Sequence, residues 1–467
     1  MNRTFAVLST AVCLCLAPRS EASTHPNVVV VIADQWRFDA FGFAGNADVR
    51  TPNIDRLALQ SIRFTNALSG LPVCSPMRAS FLTGQRPLTH GVFMNDVPLR
   101  PEALTLSKVL HRAGYDTGYI GKWHLNGDGR SAFIPRERRQ DFEYWKVLEC
   151  THDYNQSVYF ADTNEKQEWD GYDALAQTRD AGQFLKDHRR STKPFFLVLA
   201  WGPPHDPYTT APEKFRKLYE PEKLQLRPNV PADAAKRARQ MLAGYYAHCT
   251  ALDEAMGILL KMIQDSALST NTLLIFTSDH GDMLGSQGLY KKQKPYDESI
   301  RVPLLIRWPG ALLPSAVDAP LNSQDFMPTI LGLCGVTIPD SVEGLDYSRY
   351  VRGGPNPGDS ATVIQCPAPF GEWERRAGGK EFRGVRTTRY TYARDLKGPW
   401  LLFDNAIDPY QTNNLAGMAS AKELQEKLDA LLSKKLKAEH DEFLPAESYI
   451  KNWGYQVNEH GTVPYTK

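Results

Sequence analysis

The sequence lacks an excess of charge of either sign. Its 467 residues include 54 lysines and arginines against 53 aspartates and glutamates, for a formal net charge of +1. A nearly neutral chain has no strong field to attract a polyanion, which argues against nucleic acid or an anionic membrane surface as the main partner. The length suits one large domain with a smaller second unit.

Long hydrophobic runs are missing too, apart from one near the start. The run "FAVLSTAVCLCLA" follows Arg3 and precedes "SEAS", which offers a small-residue cleavage site after Ala22. We interpret residues 1–22 as a signal peptide, because a membrane span needs about 20 apolar residues. The protein is therefore expected to be exported, to a periplasm or the medium, with no membrane span in the mature chain.

Cysteine is scarce, with seven in the chain, of which two lie in the signal peptide. An odd number remains, so at least one thiol is expected to be unpaired, and Cys74 is the candidate. It stands in "LPVCSPMRASFLT", where Ser75 suits a helix cap and Pro76 the first helical position. A side chain at residue 74 would face the positive end of that helix, with Arg78 nearby. A buried structural cysteine explains this stretch equally well.

Four apolar runs predict buried strands, and each ends in polar residues: "NVVVVIADQ", "DTGYIGKWH", "PFFLVLAWGPPH" and "TLLIFTSDHG". Such continuous runs are typical of a parallel sheet covered by helices, and helical patterns such as "YDALAQTRDAGQFLKDH" lie between them. In these sheets the ligand crevice lies outside the carboxyl ends of the strands. The sequence therefore predicts an α/β fold with one site built from four strand ends.

The composition changes after about residue 350, where "RGGPNPGDS" reads as a linker. The stretches "TVIQCPAP", "FRGVRTTRYTYARD" and "WLLFD" then predict antiparallel strands, and "SAKELQEKLDALLSKKLKAEH" predicts an amphipathic helix. We predict a catalytic domain over residues 23–355 and a smaller C-terminal subdomain over residues 356–467, with a small antiparallel sheet and a helix.

Two of the strand ends carry side chains that bind metals. Asp34 with Gln35, and Asp279 with His280, suit a hard divalent cation, most simply calcium. The amide and the imidazole leave manganese or magnesium open. Each pair taken alone is also explained by an aspartate that caps a turn or a helix.

Basic residues end or follow the other strands. Lys122 and His124 flank Trp123, so they are expected to point to the same side of an extended segment. His205 lies in the proline-stiffened loop "WGPPHDPY". Each has an ordinary structural explanation, and in "YKKQKPYDES" a solvated basic patch explains two of the three lysines, which are Lys291, Lys292 and Lys294.

The run "CSPMRASFLTG" resembles the cysteine-type signature of the sulfatase family, which belongs to the alkaline phosphatase superfamily. Supporting motifs follow the family order: "ADQ", "GYIGKWH", "PPHDPY", "YYAHCTALDEAMG", "TSDHGDMLG" and "KKQKPYDESIRVPLLIRWPG". The resemblance is dense over about residues 27–310 and weaker through "LFDNAIDPYQTNNLA". It implies a large mixed, mostly parallel sheet sandwiched by helices, with a smaller C-terminal α+β subdomain.

The resemblance implies that a separate formylglycine-generating enzyme oxidises Cys74 to formylglycine. One hydroxyl of the aldehyde hydrate would attack sulfur and expel the alcohol, and loss of the other hydroxyl's proton would eliminate sulfate. Asp34, Gln35, Asp279 and His280 would be the ligands of a calcium ion. The substrate would be a sulfate ester of a carbohydrate, which suits an exported hydrolase.

The same resemblance assigns the basic residues. Arg78 would hold the hydrate, and Lys122 and Lys292 would neutralise sulfate oxygens. His124 would take the proton in the elimination step, and His205 would protonate the leaving oxygen. Lys292 is chosen because the family lysine stands four residues before an aromatic residue, here Tyr296. The candidates for sugar contact, which core packing explains as well, are His152, Asp153, Trp201 and Tyr208.

The metal pairs depart from the common family pattern. Many sulfatases carry paired aspartates and then Asp-Asn, whereas this chain has Asp-Gln and Asp-His. Asp-His also occurs in relatives that cleave phosphate monoesters or phosphonate esters, and in some carbohydrate sulfatases. A phosphonate monoester hydrolase or phosphodiesterase on the same scaffold is therefore one alternative. A non-catalytic carbohydrate-binding descendant is another, which the complete set of catalytic residues disfavours.

Overall fold

The computed structural model describes residues 25–266 and 268–464, so the predicted signal peptide lies outside the described residues. The strands in these ranges are β1 (Asn27–Asp34), β2 (Ile62–Phe64), β3 (Asp116–Lys122), β4 (Tyr144–Leu148), β5 (Val158–Tyr159), β6 (Gln167–Glu168), β7 (Phe195–Pro204), β8 (Thr272–Ser278), β9 (Leu304–Arg307), β10 (Ser315–Val317), β11 (Ala361–Cys366), β12 (Phe382–Thr387), β13 (Tyr390–Asp395) and β14 (Gly398–Asp404).

The α-helices in the same ranges are α1 (Pro52–Leu59), α2 (Cys74–Thr83), α3 (Pro87–His90), α4 (Leu106–Arg112), α5 (Asp173–His188), α6 (Glu213–Arg216), α7 (Ala235–Asp265), α8 (Asp297–Ile300), α9 (Phe326–Cys334), α10 (Lys422–Ala438) and α11 (Ala446–Asn452). No helix of the described part of the chain is long and apolar enough to cross a membrane.

An eight-stranded mixed sheet forms the centre of the fold, in the order β10-β2-β9-β8-β1-β7-β3-β4. The four strands predicted to carry the site, β8, β1, β7 and β3, are consecutive and parallel, while β9 runs antiparallel to β8. The predicted mixed, mostly parallel sheet is confirmed. Because all four strands run the same way, their carboxyl ends meet along one stretch of the sheet edge.

Both faces of this sheet are covered, which explains the continuous apolar runs. All eight residues of β1 are buried. Val28, Val30 and Ile32 belong to one hydrophobic cluster with residues of α2, α4 and α9, and Val29 and Val31 to a second cluster with residues of α1, α5 and α7. Successive side chains of a strand point to opposite faces, so one strand contributes to both clusters. The sheet therefore lies between two layers of helices.

The second sheet has four antiparallel strands in the order β11-β12-β13-β14. Helix α10 packs on one face through Leu428, Leu432 and Leu436, which recur at helical spacing along one side. The other face packs against Leu68 and Ile300 of the first unit. The small sheet and its helix are thus confirmed, and the boundary at residue 355 stays a prediction.

Helix α2 begins two residues earlier than the sequence suggests. Val73 is its cap residue and makes no side-chain cap, and Cys74 is the first helical residue. The predicted Ser75 cap is wrong, because the Ser75 Oγ atom has no hydrogen-bond partner. The Asn95 side chain instead accepts from the Ser75 backbone N–H at 3.1 Å. Cys74 therefore sits directly at the helix start, and every residue of α2 is buried.

Candidate active site

Four predicted site residues meet where β1 and β8 end against the start of α2. Ligand-capable atoms of Asp34, Cys74, Asp279 and His280 lie within 4.8 Å of one another, and all four residues are buried. The two aspartates come from adjacent parallel strands, and α2 delivers the cysteine. Pairing of the strand ends thus unites residues that are up to 246 positions apart in the chain.

The chemistry of this cluster fits a divalent cation. The His280 Nδ1–H group donates to the Gly281 carbonyl at 2.9 Å, so the Nε2 atom faces the Asp34 and Asp279 carboxylates at 3.7 and 3.6 Å. A ring nitrogen fixed by a backbone carbonyl on its far side is the usual arrangement of a ligating histidine. Burial and the Asp34 charge raise the pKa of Asp279, a cost that a cation between the carboxylates would remove.

Gln35, the fourth predicted ligand, borders the cluster. Its Oε1 atom accepts from the Lys292 Nζ atom at 3.0 Å, and its Nε2 atom donates to Asp282 at 2.7 Å and to the Tyr208 hydroxyl at 2.9 Å. The two hydrogen bonds donated by Nε2 thus fix the direction in which the Gln35 amide oxygen points. Asp282, which the sequence reasoning missed, fixes that orientation.

Cations surround the Cys74 side chain. Arg78 donates to Asp279 at 2.9 Å and to Asp34 at 3.3 Å, and the Lys122 Nζ atom donates to Asp34 at 2.6 Å. Burial and the Asp34 charge raise the pKa of the Cys74 thiol, but Lys122, together with Lys292 and His280, outweighs them and holds this pKa well below its usual range. The position favours an anionic group on residue 74, as the helix-start argument predicts.

The segment after β3 departs from the predicted geometry. The strand ends at Lys122, and His124 has a positive φ of 60°, so the expected extended alternation of Lys122 and His124 is wrong. Just before this turn, Gly121 has a positive φ of 105°, which glycine adopts without strain. Its backbone also passes so close to β7 that a Cβ atom would lie 2.1 Å from the Ala200 oxygen. The turn still brings His124 to the site.

Two carboxylates missed by the sequence reasoning hold this turn. The Asp96 Oδ1 atom lies 2.9 Å from the His124 Nε2 atom, and both side chains are buried. Burial lowers the pKa of His124, but the Cys150 thiol and the hydrogen bonds to Asp96 and Cys74 raise it to about 10. Glu149 accepts from the Asn126 and Gly127 backbone N–H groups at 2.7 and 3.0 Å. Neither carboxylate lies in a motif that could have marked it.

His205 lies beside Lys292 at the mouth of the site. Its Nδ1–H group donates to the Asp206 carbonyl at 2.9 Å, so its Nε2 atom accepts from the Lys292 Nζ atom at 2.8 Å. Burial and the Lys292 charge lower the pKa of His205 well below its usual value. The imidazole is therefore neutral, with a proton of Lys292 shared at its Nε2 atom.

The three lysines of "YKKQKPYDES" have different environments. Lys292 and Lys294 are both buried, and Lys294 donates to the Tyr290 carbonyl at 2.7 Å, so the solvated-patch interpretation is wrong for Lys294. Lys291 is partly exposed and forms an ion pair with Asp206. Lys292 contacts Gln35 and His205, and its choice as the site lysine stays a prediction.

The second sheet fastens the segment that carries Lys292. Arg386 of β12 donates to both oxygens of Asp297 at 3.0 and 3.1 Å, and both side chains are buried. Gln293 exchanges hydrogen bonds with the Phe370 backbone at 2.9 and 3.2 Å. Glu372, also beyond the linker, places its Oε2 atom 3.5 Å from the Lys292 Nζ atom. The C-terminal unit thus forms part of the site wall.

The predicted sugar contacts separate into two groups. His152 stacks on His205 with ring centroids 4.8 Å apart, which places it at the mouth. The assignment of Trp201 is wrong, because it is fully buried and donates to Thr178. Tyr208 is buried with its hydroxyl on Asp282, so it supports the site from within. Asp153 is exposed and accepts two backbone N–H groups of its own turn.

The fold and the site together define a hydrolase of the alkaline phosphatase-like class. A family model described as "Sulfatase" matches residues 26–336, and one described as "N-sulphoglucosamine sulphohydrolase, C-terminal" matches residues 285–438. The chain belongs to the sulfatase family and is a sulfuric ester hydrolase. Membership in this family also implies a metal ion, for which the four-residue cluster provides buried ligands.

Individual relatives extend this result along nearly the whole chain. An "Ulvan-active sulfatase" of Formosa agariphila is 43% identical over 456 residues, covering 96% of this chain and 88% of the relative. An "Endo-4-O-sulfatase" of Bacteroides thetaiotaomicron is 33% identical over 471 residues, covering 86% and 90%. A solved structure concerned with glycosaminoglycan metabolism by the same Bacteroides species has a TM-score of 0.82 at 30% identity, covering 92% of this chain and 99% of the other.

Proposed function

We propose that this sulfatase removes sulfate from a sulfated polysaccharide, with ulvan as the first candidate, through formylglycine formed at Cys74 and a bound calcium ion. The observation that carries the proposal is the buried cluster at the strand ends, where Lys122, Lys292 and His280 favour negative charge on residue 74. The name of the 43% identical relative supports the choice of ulvan. The apolar run at the N-terminus supports export to a periplasm or the medium.

The chain's own residues supply the binding site for the sulfate ester. Asp34, Asp279, His280 and the Gln35 amide oxygen would hold the cation, which supplies a Lewis acid that polarises the ester and lowers the pKa of the nucleophile. Formylglycine, formed by a separate maturing enzyme, supplies a hydrate hydroxyl as the nucleophile.

The buried cations stabilise the charge that the reaction develops. Arg78 is anchored by both aspartates and by the Lys122 carbonyl, so its guanidinium is fixed beside Asp34, whose Oδ1 atom lies 3.8 Å from the Cys74 Sγ atom. Lys122 and Lys292 both lower the pKa of the Cys74 side chain, so sulfate oxygens bound at this position would meet both charges. Because these charges are fixed and shielded from water before substrate arrives, they act on the transition state without reorganising.

Two histidines take the proton-transfer roles. Asp96 holds the Nε2–H group of His124, and Nδ1 is the nitrogen that would accept the hydrate's proton once the imidazolium, whose pKa is raised to about 10, has lost its own. On the other side, the Lys292 Nζ atom donates to the His205 Nε2 atom, and His205 would pass this proton to the leaving oxygen. The two proton transfers are thus separated in space.

The substrate class is tested by desulfation of a panel that contains ulvan, chondroitin sulfate and a carrageenan, with release of sulfate as the readout. Ulvan is expected to react fastest, and an aryl sulfate to react much faster than the matching aryl phosphate or phosphonate. A Cys74→Ala preparation serves as the blank for contaminating activity. A higher rate on the phosphorus esters would instead support the phosphonate monoester hydrolase or phosphodiesterase alternative.

The role of His205 is tested by its dependence on the leaving group. His205→Ala is expected to lower kcat/KM for a sugar sulfate roughly 100- to 10,000-fold, the usual size of general acid catalysis. It should lower kcat/KM for nitrophenyl sulfate far less, because a nitrophenolate leaves without a proton. His188→Ala, which changes a histidine outside the site, is the control. Equal losses on both esters would remove His205 from the proton-transfer step.

A further inference from the structure

An open groove of about 820 Å³ lies beyond β4, the edge strand of the large sheet. Two chain segments form its walls, residues 128–135 and residues 160–166. Phe160 pairs with Val147 of β4 through an antiparallel bridge, and Phe133 meets Phe160 edge to face with ring centroids 5.7 Å apart. The groove is therefore built on the sheet itself, at its exposed edge.

The wall of this groove is connected to the candidate active site. The Arg130 carbonyl accepts from the Cys150 backbone N–H at 3.1 Å, and His152, two residues further on, stacks on His205. The first wall segment also begins four residues after His124. Strand β4 is three neighbours away from β1, a distance on the order of 15 Å at the usual strand spacing. One sugar ring cannot bridge this distance, but a chain of several rings can.

The lining of the groove combines aromatic rings with cations. Phe133 is half-buried, and the Arg139 guanidinium lies 5.5 Å from its ring centre, which holds the ring in place. Lys166 is exposed and, among the described residues, forms no ion pair. Arg130 is a second exposed cation, and Asp128 adds one acidic group. Aromatic faces pack against sugar rings, and lysine and arginine bind sulfate or carboxylate groups.

We propose that this groove binds an anionic sugar residue of the polysaccharide chain, several units away from the sulfate ester that is hydrolysed. Its role depends on the proposed function, since only a polymeric substrate reaches both places. The exposed Lys166 ammonium selects a residue with a sulfate or carboxylate, and the half-buried Phe133 provides an apolar surface for its ring. The groove would thus lower KM for long chains relative to short ones.

The test compares chain lengths and one charge reversal. Wild type, Lys166→Glu and Lys427→Glu are assayed on a polymer of the ulvan, chondroitin sulfate and carrageenan panel, on its disaccharide, and on nitrophenyl sulfate. Lys427 is an exposed lysine of α10 outside the groove, so its reversal matches the change in net charge. Lys166→Glu is expected to lower kcat/KM for the polymer roughly 10-fold through KM, the size of one lost charged contact. The ratio of polymer to nitrophenyl sulfate activity should fall by the same factor.

Any of three results would overturn the groove's role. The first is an equal kcat/KM of the wild type for polymer and disaccharide, and the second is an equal loss of kcat/KM in Lys166→Glu on polymer and on nitrophenyl sulfate. The third is an equal loss of kcat/KM for the polymer in Lys427→Glu and in Lys166→Glu. A wild type that hydrolyses nitrophenyl sulfate but no polymer would overturn both the groove and the polymeric substrate. If ulvan fails while another polymer of the panel reacts, the choice of ulvan is wrong, and the groove is judged on the polymer that reacts.

Discussion

Cys74→Ala is expected to lower kcat by at least about 10,000-fold, because it removes the side chain from which the nucleophile is made. The variant should still fold, since alanine is a good helix former and Cys74 is the first residue of α2. Peptide mass spectrometry of active wild type should find an aldehyde in place of the CH2–SH group at residue 74. Kinetics on nitrophenyl sulfate and thermal unfolding complete the comparison.

Cys334→Ala is the matched control for this experiment. Cys334 is also buried and free, but it lies in α9 within the hydrophobic core. Its replacement should keep kcat and cost only stability, in line with the loss of a small buried group. Full activity of a preparation whose residue 74 is entirely unmodified thiol would contradict the formylglycine mechanism.

Asp279→Asn is expected to release the divalent ion and nearly all activity, because it removes one of two carboxylates in the buried cluster. Elemental analysis of the purified protein should find about one divalent ion per chain in wild type and much less in the variant. It also distinguishes calcium from manganese and magnesium. A ligand that binds only the folded state stabilises it by about 2.7 kcal/mol at 100 times its Kd, so chelation should lower the Tm of wild type and leave that of the variant unchanged.

Asp253→Asn separates loss of the ion from general damage. Asp253 is also buried, but it accepts hydrogen bonds from the Asn53 and Ile54 backbone far from the cluster. This variant should lose stability and keep its ion. Active wild type with no divalent ion would refute the assignment of Asp34, Asp279 and His280 as ligands.

The strands that carry the site could be read from the sequence because of their burial. A strand covered on both faces is a continuous apolar run, and the polar residue that ends it is conspicuous, as Asp34 is at the end of β1. The order of strands could not be read, since it depends on packing between distant segments. The same burial explains the error at Trp201: when both faces of β7 are covered, position along the strand does not reveal whether an aromatic ring reaches solvent.

The site residues could be predicted where a motif surrounds them and not otherwise. Cys74 and Arg78 occupy fixed places in one helical turn, so local spacing identifies them. Asp96 acts on His124 from a separate loop 28 positions earlier, and Glu372 reaches Lys292 from beyond the linker. A single carboxylate at such a separation has no periodicity and no neighbouring motif. Only the folded chain shows what it contacts.

The bidentate contact between Arg386 and Asp297 has a consequence for the history of such proteins. Removing one partner of a buried ion pair costs about 3–5 kcal/mol, so the two sheets cannot be exchanged between relatives as independent modules. A protein recombined within the 352–360 linker would take Lys292 from one parent, and the Phe370 and Arg386 that support its segment from the other. An exchange of one unit therefore requires matching changes at the contact between Asp297 of the first unit and Arg386 of the second sheet. This requirement favours descent of the whole chain as a unit.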